Sequence, residues 1–289
     1  MIAADDPRIA YVNGDFVPLA DAKISVLDRG FLFADGVYEV TAVIDGKLVD
    51  NAAHLARLER SLGEIEMAHP APLDMLTDLQ LELARRNNLT EGGIYLQVTR
   101  GAAERDFSYP KDAKPSLVMF TQTRNLVADP RAETGVAVIT TPDLRWKRRD
   151  IKSVSMIAQT IAKQEAAKVG AAEAIMVEDG IVTEGSSSTA WLVKDGKLVT
   201  RNLSNSVLSG ITRLSVMALC EEQGFEVEER TYTVDELYEA DEVFITAATT
   251  LVMPVVKVDD RVMSNGAPGP TASRLRQLYI EMAKKTAVG

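Results

Sequence analysis

The stretch VYEVTAVIDGKLV, from Val37 to Val49, indicates how the chain folds. β-branched and aromatic residues dominate its first eight positions, and Asp45-Gly46 tolerates the positive φ angles of a two-residue hairpin turn. Upstream, the runs IAYV and DFVP flank a second turn of this kind at Asn13-Gly14. The two turns predict that an antiparallel sheet opens the chain.

Helices and further strands follow this sheet. Asn51 can cap a helix that ends before Gly63, and residues 73–87 show the apolar spacing of a second helix. The runs IYLQVTR and SLVMFTQT then return to the strand pattern. The first half of the chain is therefore predicted to be a mixed α and β domain.

A polar, proline-containing segment at residues 124–134 separates two β-rich blocks. With 289 residues the chain exceeds the usual size of one domain, so we expect a small N-terminal domain over residues 1–123 and a larger one over residues 135–289. The larger domain is predicted to contain helices at 156–169, 212–222 and 271–285, hairpin turns at Asp179-Gly180 and Asp195-Gly196, and the strands EVEERTYT and EVFITAAT. Strands and helices do not alternate strictly, which favours the α+β class.

Composition excludes several classes of function. The net charge is -10 and no basic stripe is present, so neither a nucleic acid nor a membrane surface is an expected partner. The acidic start MIAADDPRIA does not resemble a targeting signal, and we expect a cytoplasmic protein. Cys220 is the single cysteine and the two histidines lack metal-ligand spacing, so no metal site is expected.

Four of the six residues from 147 to 152 are cations, which is unusual in an acidic chain. We interpret this cluster as a place where a small anion binds. Its last member, Lys152, is expected at a strand end, before a helix that Ser153 or Ser155 could cap. On its own such a lysine is most often a solvated surface residue.

Two further segments are typical of a polar binding site. TEGSSST, from Thr183 to Thr189, places the carboxylate of Glu184 before a hydroxyl-rich run, where it could keep a heteroaromatic nitrogen protonated. SGITR, from Ser209 to Arg213, brings consecutive backbone amides to a helix start, which is a geometry that binds phosphate. Each segment alone is a weak signal, because serine-rich turns and helix starts are common.

Taken in order, the lysine, EGSSS and the glycine-led helix start resemble fold-type IV pyridoxal-phosphate transaminases, and within them the D-amino-acid aminotransferases. The resemblance covers nearly the whole chain through the motifs DRGFLFADGVYEV, HLARL, IYLQVTRG, DIKS, AKQEA, TEGSSS, GITR and MPVVKVD. It implies a small α/β N-terminal domain, a larger β-barrel-like domain with helices, pyridoxal 5'-phosphate as cofactor and a homodimer.

The resemblance also implies roles for residues of the cofactor site. Lys152 would form the Schiff base and carry the proton, and Glu184 would pair with the pyridine nitrogen. Arg57 would bind the phosphate together with the backbone amides of Ile211 and Thr212. The other cofactor-binding positions implied are Ser187, Ser188, Leu208, Ala248 and Thr249. Ala248 stands where relatives place a phosphate-binding threonine, and the adjacent Thr249 could compensate.

For the substrate carboxylate the resemblance implies Tyr38 and Arg105, a phenol and a guanidinium suited to this group. The family motif has a histidine two residues after the arginine, whereas this chain has Phe107. One carboxylate donor is therefore missing, and substrate range is expected to differ from the usual enzyme.

The function implied is ping-pong transamination between a D-amino acid such as D-alanine and a 2-oxo acid, either 2-oxoglutarate or pyruvate. On the same fold, the alternatives are a branched-chain L-amino-acid aminotransferase, an (R)-amine transaminase and a 4-amino-4-deoxychorismate lyase. The alternative outside enzymes is a catalytically silent metabolite-binding protein, which the intact Lys152 and Glu184 disfavour.

Overall fold

The computed structural model describes residues 6–289, and the chain divides into two compact units. Unit 1 comprises the chain up to Asn125, the short segment Ile151–Ser155 and the end Thr286–Gly289. Unit 2 comprises Leu126–Asp150 and Met156–Lys285. The domain limits and the linker at 124–134 stay a prediction; what the units add is that the segment around Lys152 clusters with unit 1.

Unit 1 is one antiparallel sheet with two long helices. Its elements are β1 Ile9–Val12, β2 Asp15–Pro18, α1 Arg29–Phe33, β3 Gly36–Ile44, β4 Lys47–Leu48, α2 Asn51–Glu64, α3 Leu73–Arg86, β5 Gly92–Thr99 and β6 Ser116–Thr123. The strand order is β2-β1-β6-β5-β3-β4. Apolar side chains of β3, β5 and β6 form one core with α2 and α3, which contains Val37, Val43, Leu58, Leu83 and Ile94.

Both predicted hairpins of unit 1 are confirmed. Asn13 and Asp45 have φ angles of 50° and 52°, in the left-handed region, and each is followed by a glycine with positive φ. This region costs Asn, Asp and Gly less than it costs other residues, so the dipeptides fix both turns locally.

The predicted cap of α2 is wrong by one residue. The helix begins at Asn51, its N-cap is Asp50 with φ 53°, and no side chain of the cap binds a helix amide. Asn51 instead donates from Nδ2 to the hydroxyl of Thr77 at 3.1 Å. The helix also runs to Glu64, so Gly63 lies inside it.

Unit 2 is a mixed sheet surrounded by helices. Its elements are α4 Arg131–Thr134, β7 Val136–Pro142, α5 Ile157–Lys168, β8 Glu173–Glu178, β9 Ile181–Gly185, β10 Thr189–Lys194, β11 Lys197–Thr200, α6 Ile211–Gln223, β12 Val227–Glu229, α7 Val234–Tyr238, β13 Glu242–Ala247, β14 Leu251–Val258, β15 Arg261–Val262 and α8 Pro270–Thr286. The strand order is β12-β11-β10-β13-β14-β7-β8-β9, and β15 pairs with β14. Because β9 also contacts β10, the sheet curls toward a barrel, as expected.

The predicted hairpins at Asp179-Gly180 and Asp195-Gly196 are confirmed, and the α+β class with them. Two local predictions are wrong. The run EVEERTYT pairs only over Val227–Glu229, because Thr233 instead caps α7 in a capping box with Glu236. Helix α5 begins at Ile157, and its N-cap, Met156, makes no side-chain cap, so neither Ser153 nor Ser155 caps it.

None of the helices in the described part of the chain combines the length and the apolar composition that crossing a membrane requires.

Two glycines of unit 1 provide a test of this fold. A Cβ on Gly92, at φ 151°, would lie 2.1 Å from the carbonyl oxygen of Gln122 in β6, whereas a Cβ on Gly63 meets nothing within 4 Å. We expect Gly92→Ala to lower the free energy of unfolding by about 3 kcal/mol, because backbone strain adds to a contact with backbone. Gly63→Ala is expected to raise it by about 0.5 kcal/mol, since alanine favours helix. Urea unfolding followed by circular dichroism measures both, and equal effects of the two changes would contradict the described register of β5 and β6.

Candidate active site

Lys152 is held by the first residues of β3. The amide of Tyr38 donates to the carbonyl of Lys152 at 3.0 Å, and the amide of Val154 donates to the carbonyl of Gly36 at 3.0 Å. The predicted strand end is therefore wrong: Lys152 lies in a loop that pairs sideways with β3. Its ammonium nitrogen lies 4.3 Å from the ring centroid of Tyr38, so the structure brings these two predicted residues together.

Arg57 is fixed by a buried carboxylate on the same strand. Its Nε and Nη2 donate to Oε1 and Oε2 of Glu39 at 2.8 and 2.7 Å, a bidentate pair. His54, one turn earlier on α2, places Nδ1 2.8 Å from Oε2 of the same carboxylate. Burial acts to raise the pKa of Glu39, but Arg57 and His54 outweigh it and hold the pKa at about 2. The guanidinium of Arg57 is thus locked in one orientation.

Neither Glu39 nor His54 was singled out from the sequence. A usable signal was present, because Glu39 is the only charge within the apolar run of β3, and His54 and Arg57 share one helix face at a spacing of three residues. Burial lowers the pKa of His54 despite the contact with Glu39. The imidazole is therefore a neutral partner in this cluster.

Arg105 and Phe107 lie in the loop after β5. The side chain of Arg105 is exposed and forms no hydrogen bond or ion pair with any residue between 6 and 289. Its guanidinium carbon lies 5.3 Å from the ring centroid of Phe33 and 5.6 Å from that of Phe107. Phe107 is 80% exposed and contacts Phe33 at a centroid distance of 5.5 Å. The structure thus joins Arg105 and Phe107 to Phe33, which the sequence did not indicate.

In unit 2, Glu184 is a buried carboxylate at the end of β9. Its Oε1 accepts hydrogen bonds from Nη1 of Arg145 at 2.5 Å and from the amide of Leu208 at 3.1 Å. Asp143 binds the other side of Arg145, with Oδ2 2.7 Å from Nη2. Oε2 of Glu184 accepts no hydrogen bond from the described residues. Burial raises the pKa of Glu184, while Arg145 acts in the opposite direction.

The serines that follow Glu184 share a second buried carboxylate. Ser187 and Ser188 donate to Oε2 of Glu173 at 2.7 and 3.3 Å, and Ser186 donates to its Oε1. Lys163 pairs with the same group at 3.2 Å. Glu173 was not predicted from the sequence, because it lies at the start of β8, far from the serines along the chain. It shapes the loop between β9 and β10.

The start of α6 has no side-chain cap. Its N-cap is Gly210, and the first helical residues, Ile211 and Thr212, are buried. A Cβ on Gly210 would lie 2.7 Å from the hydroxyl of Thr189, so the glycine allows the helix start to approach β10. Free amides and the positive end of the helix dipole therefore remain available for an anion.

Ala248 and Thr249 lie in the turn between β13 and β14, both half-buried. The neighbouring Thr250, which was not predicted, has a buried hydroxyl without a hydrogen-bond partner among the described residues. Because Thr189 pairs with Thr246 across β10 and β13, this turn lies at the same end of the sheet as the serine loop. Unit 2 thus brings its predicted residues together at one end of its sheet.

The interpretation of the cation cluster is wrong. Lys147 and Arg149 both pair with Glu178, the latter at 2.9 Å, and Arg148 pairs with Asp150 at 3.1 Å. These three cations neutralise carboxylates of the chain itself. Only Lys152 of the four, which lies in unit 1, keeps its predicted position against another site residue.

Comparison with known proteins gives the class. The family described as amino-transferase class IV matches residues 36–258. The D-alanine aminotransferase of Staphylococcus aureus is 38% identical, with 94% of this chain and 97% of that protein covered. The D-alanine aminotransferase of Staphylococcus epidermidis is 40% identical, with 92% and 95% covered.

Solved structures agree on the fold. A T.th. branched-chain amino acid aminotransferase, solved with pyridoxamine 5'-phosphate, superposes with a TM-score of 0.88 at 28% identity, covering 96% of this chain and 95% of that one. The Escherichia coli branched-chain enzyme has the same TM-score at 24% identity, with 96% and 95% covered. The fold is that of fold-type IV, and the chain belongs to the class IV aminotransferases.

The Glu39 cluster makes a prediction for stability. Glu39→Gln leaves Arg57 buried without its counter-charge, so we expect a loss of about 3 kcal/mol in the free energy of unfolding at pH 7. The pKa of Glu39 is lowered from 4.5 to about 2 on folding, so its charge stabilises the protein above about pH 4.5 and this contribution disappears as the pH falls to about 2. The gap between wild type and variant should therefore narrow over that range in urea unfolding followed by circular dichroism.

Glu82 provides the matched control, because it pairs with Arg85 and Arg86 at the surface. Glu82→Gln should leave stability almost unchanged, since exposed pairs contribute little. A gap for Glu39→Gln that does not depend on pH would contradict the charged state assigned to Glu39.

Proposed function

We propose that the protein transfers an amino group between a D-amino acid, such as D-alanine, and a 2-oxo acid, with pyridoxal 5'-phosphate as cofactor. The observation that carries the proposal is the lysine at 152, held by two backbone hydrogen bonds to β3 with its amine against Tyr38. The choice of a D-amino acid is supported by relatives at 38–40% identity that are D-alanine aminotransferases.

The residues of unit 2 fit the ring of this cofactor. Glu184 is buried and held by Arg145, and its Oε2 has no hydrogen-bond partner among the described residues. A protonated ring nitrogen is a suitable donor for this oxygen, and its positive charge would favour the ionised carboxylate. When bound, pyridoxal 5'-phosphate supplies an aldehyde that condenses with amines and a pyridinium ring that withdraws electrons.

The phosphate would be held by Arg57 and by the start of α6. Arg57 is oriented by Glu39 before any ligand arrives, so little side-chain entropy is lost on binding. The amides of Ile211 and Thr212 lie at an uncapped helix start. Thr249 is half-buried in the turn after β13 and would replace the hydroxyl that Ala248 lacks.

Lys152 would move the proton of the reaction. Its amine takes the proton from the substrate Cα once the lysine has been displaced, and it returns a proton on the other side of the transfer. The two hydrogen bonds to β3 fix the backbone of Lys152, so only its side chain needs to move between these positions. The face of Tyr38 supports the charged form of the amine at 4.3 Å.

Tyr38 and Arg105 would bind the substrate carboxylate. Arg105 suits this role because it is exposed and carries no carboxylate partner among residues 6–289. Phe107 replaces a donor of the family motif by an apolar ring, which weakens the hold on the carboxylate. We therefore propose a broader tolerance for apolar substrates than a site with a second donor would allow.

A branched-chain L-amino-acid aminotransferase is the second candidate, because the solved relatives that superpose with a TM-score of 0.88 carry this name. The hand of the substrate depends on where its carboxylate lies when the Cα–H faces the lysine. Arg105 and Tyr38 are the grounds for preferring the D-amino acid. A homodimer, implied by the family, is proposed with either function, and light scattering of the purified protein tests it.

The half-reaction distinguishes the two candidates. We expect the visible absorption of the purified holoenzyme to change when D-alanine is added without any 2-oxo acid, and to remain unchanged with L-leucine. The opposite pattern would assign the branched-chain reaction, and a response to (R)-1-phenylethylamine alone would assign an amine transaminase.

The role of Lys152 has a separate test. Borohydride should trap the cofactor on Lys152 in the wild type, as seen by peptide mass spectrometry, and Lys152→Arg should abolish the adduct and lower kcat by about a thousandfold or more. Lys163→Arg is the control, because Lys163 pairs with Glu173 and is given no role in proton transfer. An adduct that persists in Lys152→Arg would assign the Schiff base to another lysine.

A further inference from the structure

A buried arginine lies beneath the loop that carries Arg105. Arg29, at the start of α1, is 3% exposed. Its Nη1 donates to the carbonyl oxygens of Asp106 at 2.5 Å and Ser108 at 3.4 Å, and its Nη2 donates to that of Phe107 at 3.5 Å. One guanidinium therefore binds three consecutive carbonyls of this loop.

Arg29 is itself held firmly. Its Nε donates to Oδ2 of Asp35 at 2.8 Å, and Arg100 donates to the same oxygen at 2.8 Å. The backbone amide of Arg29 donates to the carbonyl of Gly101 at 2.9 Å, which ties the start of α1 to the end of β5. Asp28 caps α1 through the amide of Gly30 at 2.8 Å. The support for the loop is thus built from buried, hydrogen-bonded groups.

Arg105 has no comparable support of its own. It forms no hydrogen bond or ion pair within residues 6–289, and its guanidinium contacts only the rings of Phe33 and Phe107. The guanidinium of Arg29 lies against the same Phe33 ring, with a distance of 4.7 Å to the centroid. Phe33 therefore lies between the arginine below the loop and the arginine on it.

We infer that Arg29 is a positioning residue for substrate binding, which acts through the loop 105–108 and sets the place of the Arg105 guanidinium. The inference rests on the proposed function, in which Arg105 binds the substrate carboxylate. A flexible, exposed arginine loses affinity for a planar carboxylate unless its backbone is fixed. Arg29 fixes this backbone by hydrogen bonds to main-chain oxygens, so it serves whatever side chains the loop carries, including Phe107.

Arg29→Lys tests this role in the holoenzyme. Lysine keeps the charge beside Asp35 but lacks the planar fork that reaches three carbonyls. We expect KM for D-alanine to rise about tenfold with kcat changed less than twofold, because a misplaced binding group weakens binding of the substrate. Hydrogen exchange of peptides covering residues 104–110 should accelerate, and the cofactor absorption should remain as in the wild type.

A double-mutant cycle with Arg105→Met separates positioning from a general structural effect. If Arg29 acts through Arg105, then Arg29→Lys combined with Arg105→Met should have the KM of Arg105→Met alone. Additive increases in KM would overturn the inference. A wild-type KM in Arg29→Lys, with KM raised in Arg105→Met, would overturn it while leaving the proposed function intact, whereas a wild-type KM in Arg105→Met would overturn the carboxylate role of Arg105 and the inference together.

Arg86 offers a matched control, since it pairs with Glu82 at 2.7 Å and lies over the Phe16 ring at 4.1 Å. Arg86→Lys should change neither KM nor the exchange of residues 104–110. If Arg29→Lys does not yield folded protein, Phe33→Leu carries the same test, because it removes the ring that both guanidiniums contact. Unchanged KM and unchanged exchange in folded Phe33→Leu would then count against the inference.

Discussion

The backbone pairing between the segment around Lys152 and β3 is the constraint on which the candidate site depends. Two hydrogen bonds, from Tyr38 to Lys152 and from Val154 to Gly36, tie this segment to the first residues of the strand. Ile151, next to the lysine, is buried in the core of unit 1. A reactive lysine needs a fixed backbone and a mobile side chain, and this arrangement provides both.

Buried charge pairs orient the other site residues. Glu39 holds Arg57, Arg145 holds Glu184, and Asp35 holds Arg29, in each case with oxygen–nitrogen distances of 2.5 to 2.8 Å. Such pairs add little net stability, since removing two charges from water costs nearly what their attraction returns. Their value is geometric, because each fixes a planar group in one orientation before a ligand binds.

Local signals explain which parts of the fold could be predicted from the sequence. Hairpins at Asn13-Gly14 and Asp45-Gly46, and the end of α6 at Gly224, depend on backbone conformations that few residues adopt, so the sequence pattern is enough. The sideways pairing of Lys152 with β3 depends on residues more than a hundred positions apart, and no local pattern encodes it. The shortened strand after Gly224 failed for the opposite reason, since a capping box at Thr233 competed with the β propensity of its neighbours.

The candidate site shows the same division. Lys152, Glu184 and Arg57 were found through the order of family motifs, whereas their supports, such as Glu39 and Glu173, were missed because a buried charge looks like a solvated one in sequence. The cation cluster misled for this reason too: its charges pair with Glu178 and Asp150, which are visible only in three dimensions. Sequence order therefore identified the chemistry, and contacts across the chain identified what holds it in place.

The order of the two units along the chain has a consequence for protein engineering. The chain passes between them at residues 125–126, 150–151, 155–156 and 285–286, and Val288 pairs with Leu48 near the very end. Neither unit is a continuous fragment, so a chimaera that joins the first half of this enzyme to the second half of a homologue would place the lysine segment and its strand in different parents. Exchange of residues 151–155 together with β3 would keep these partners matched.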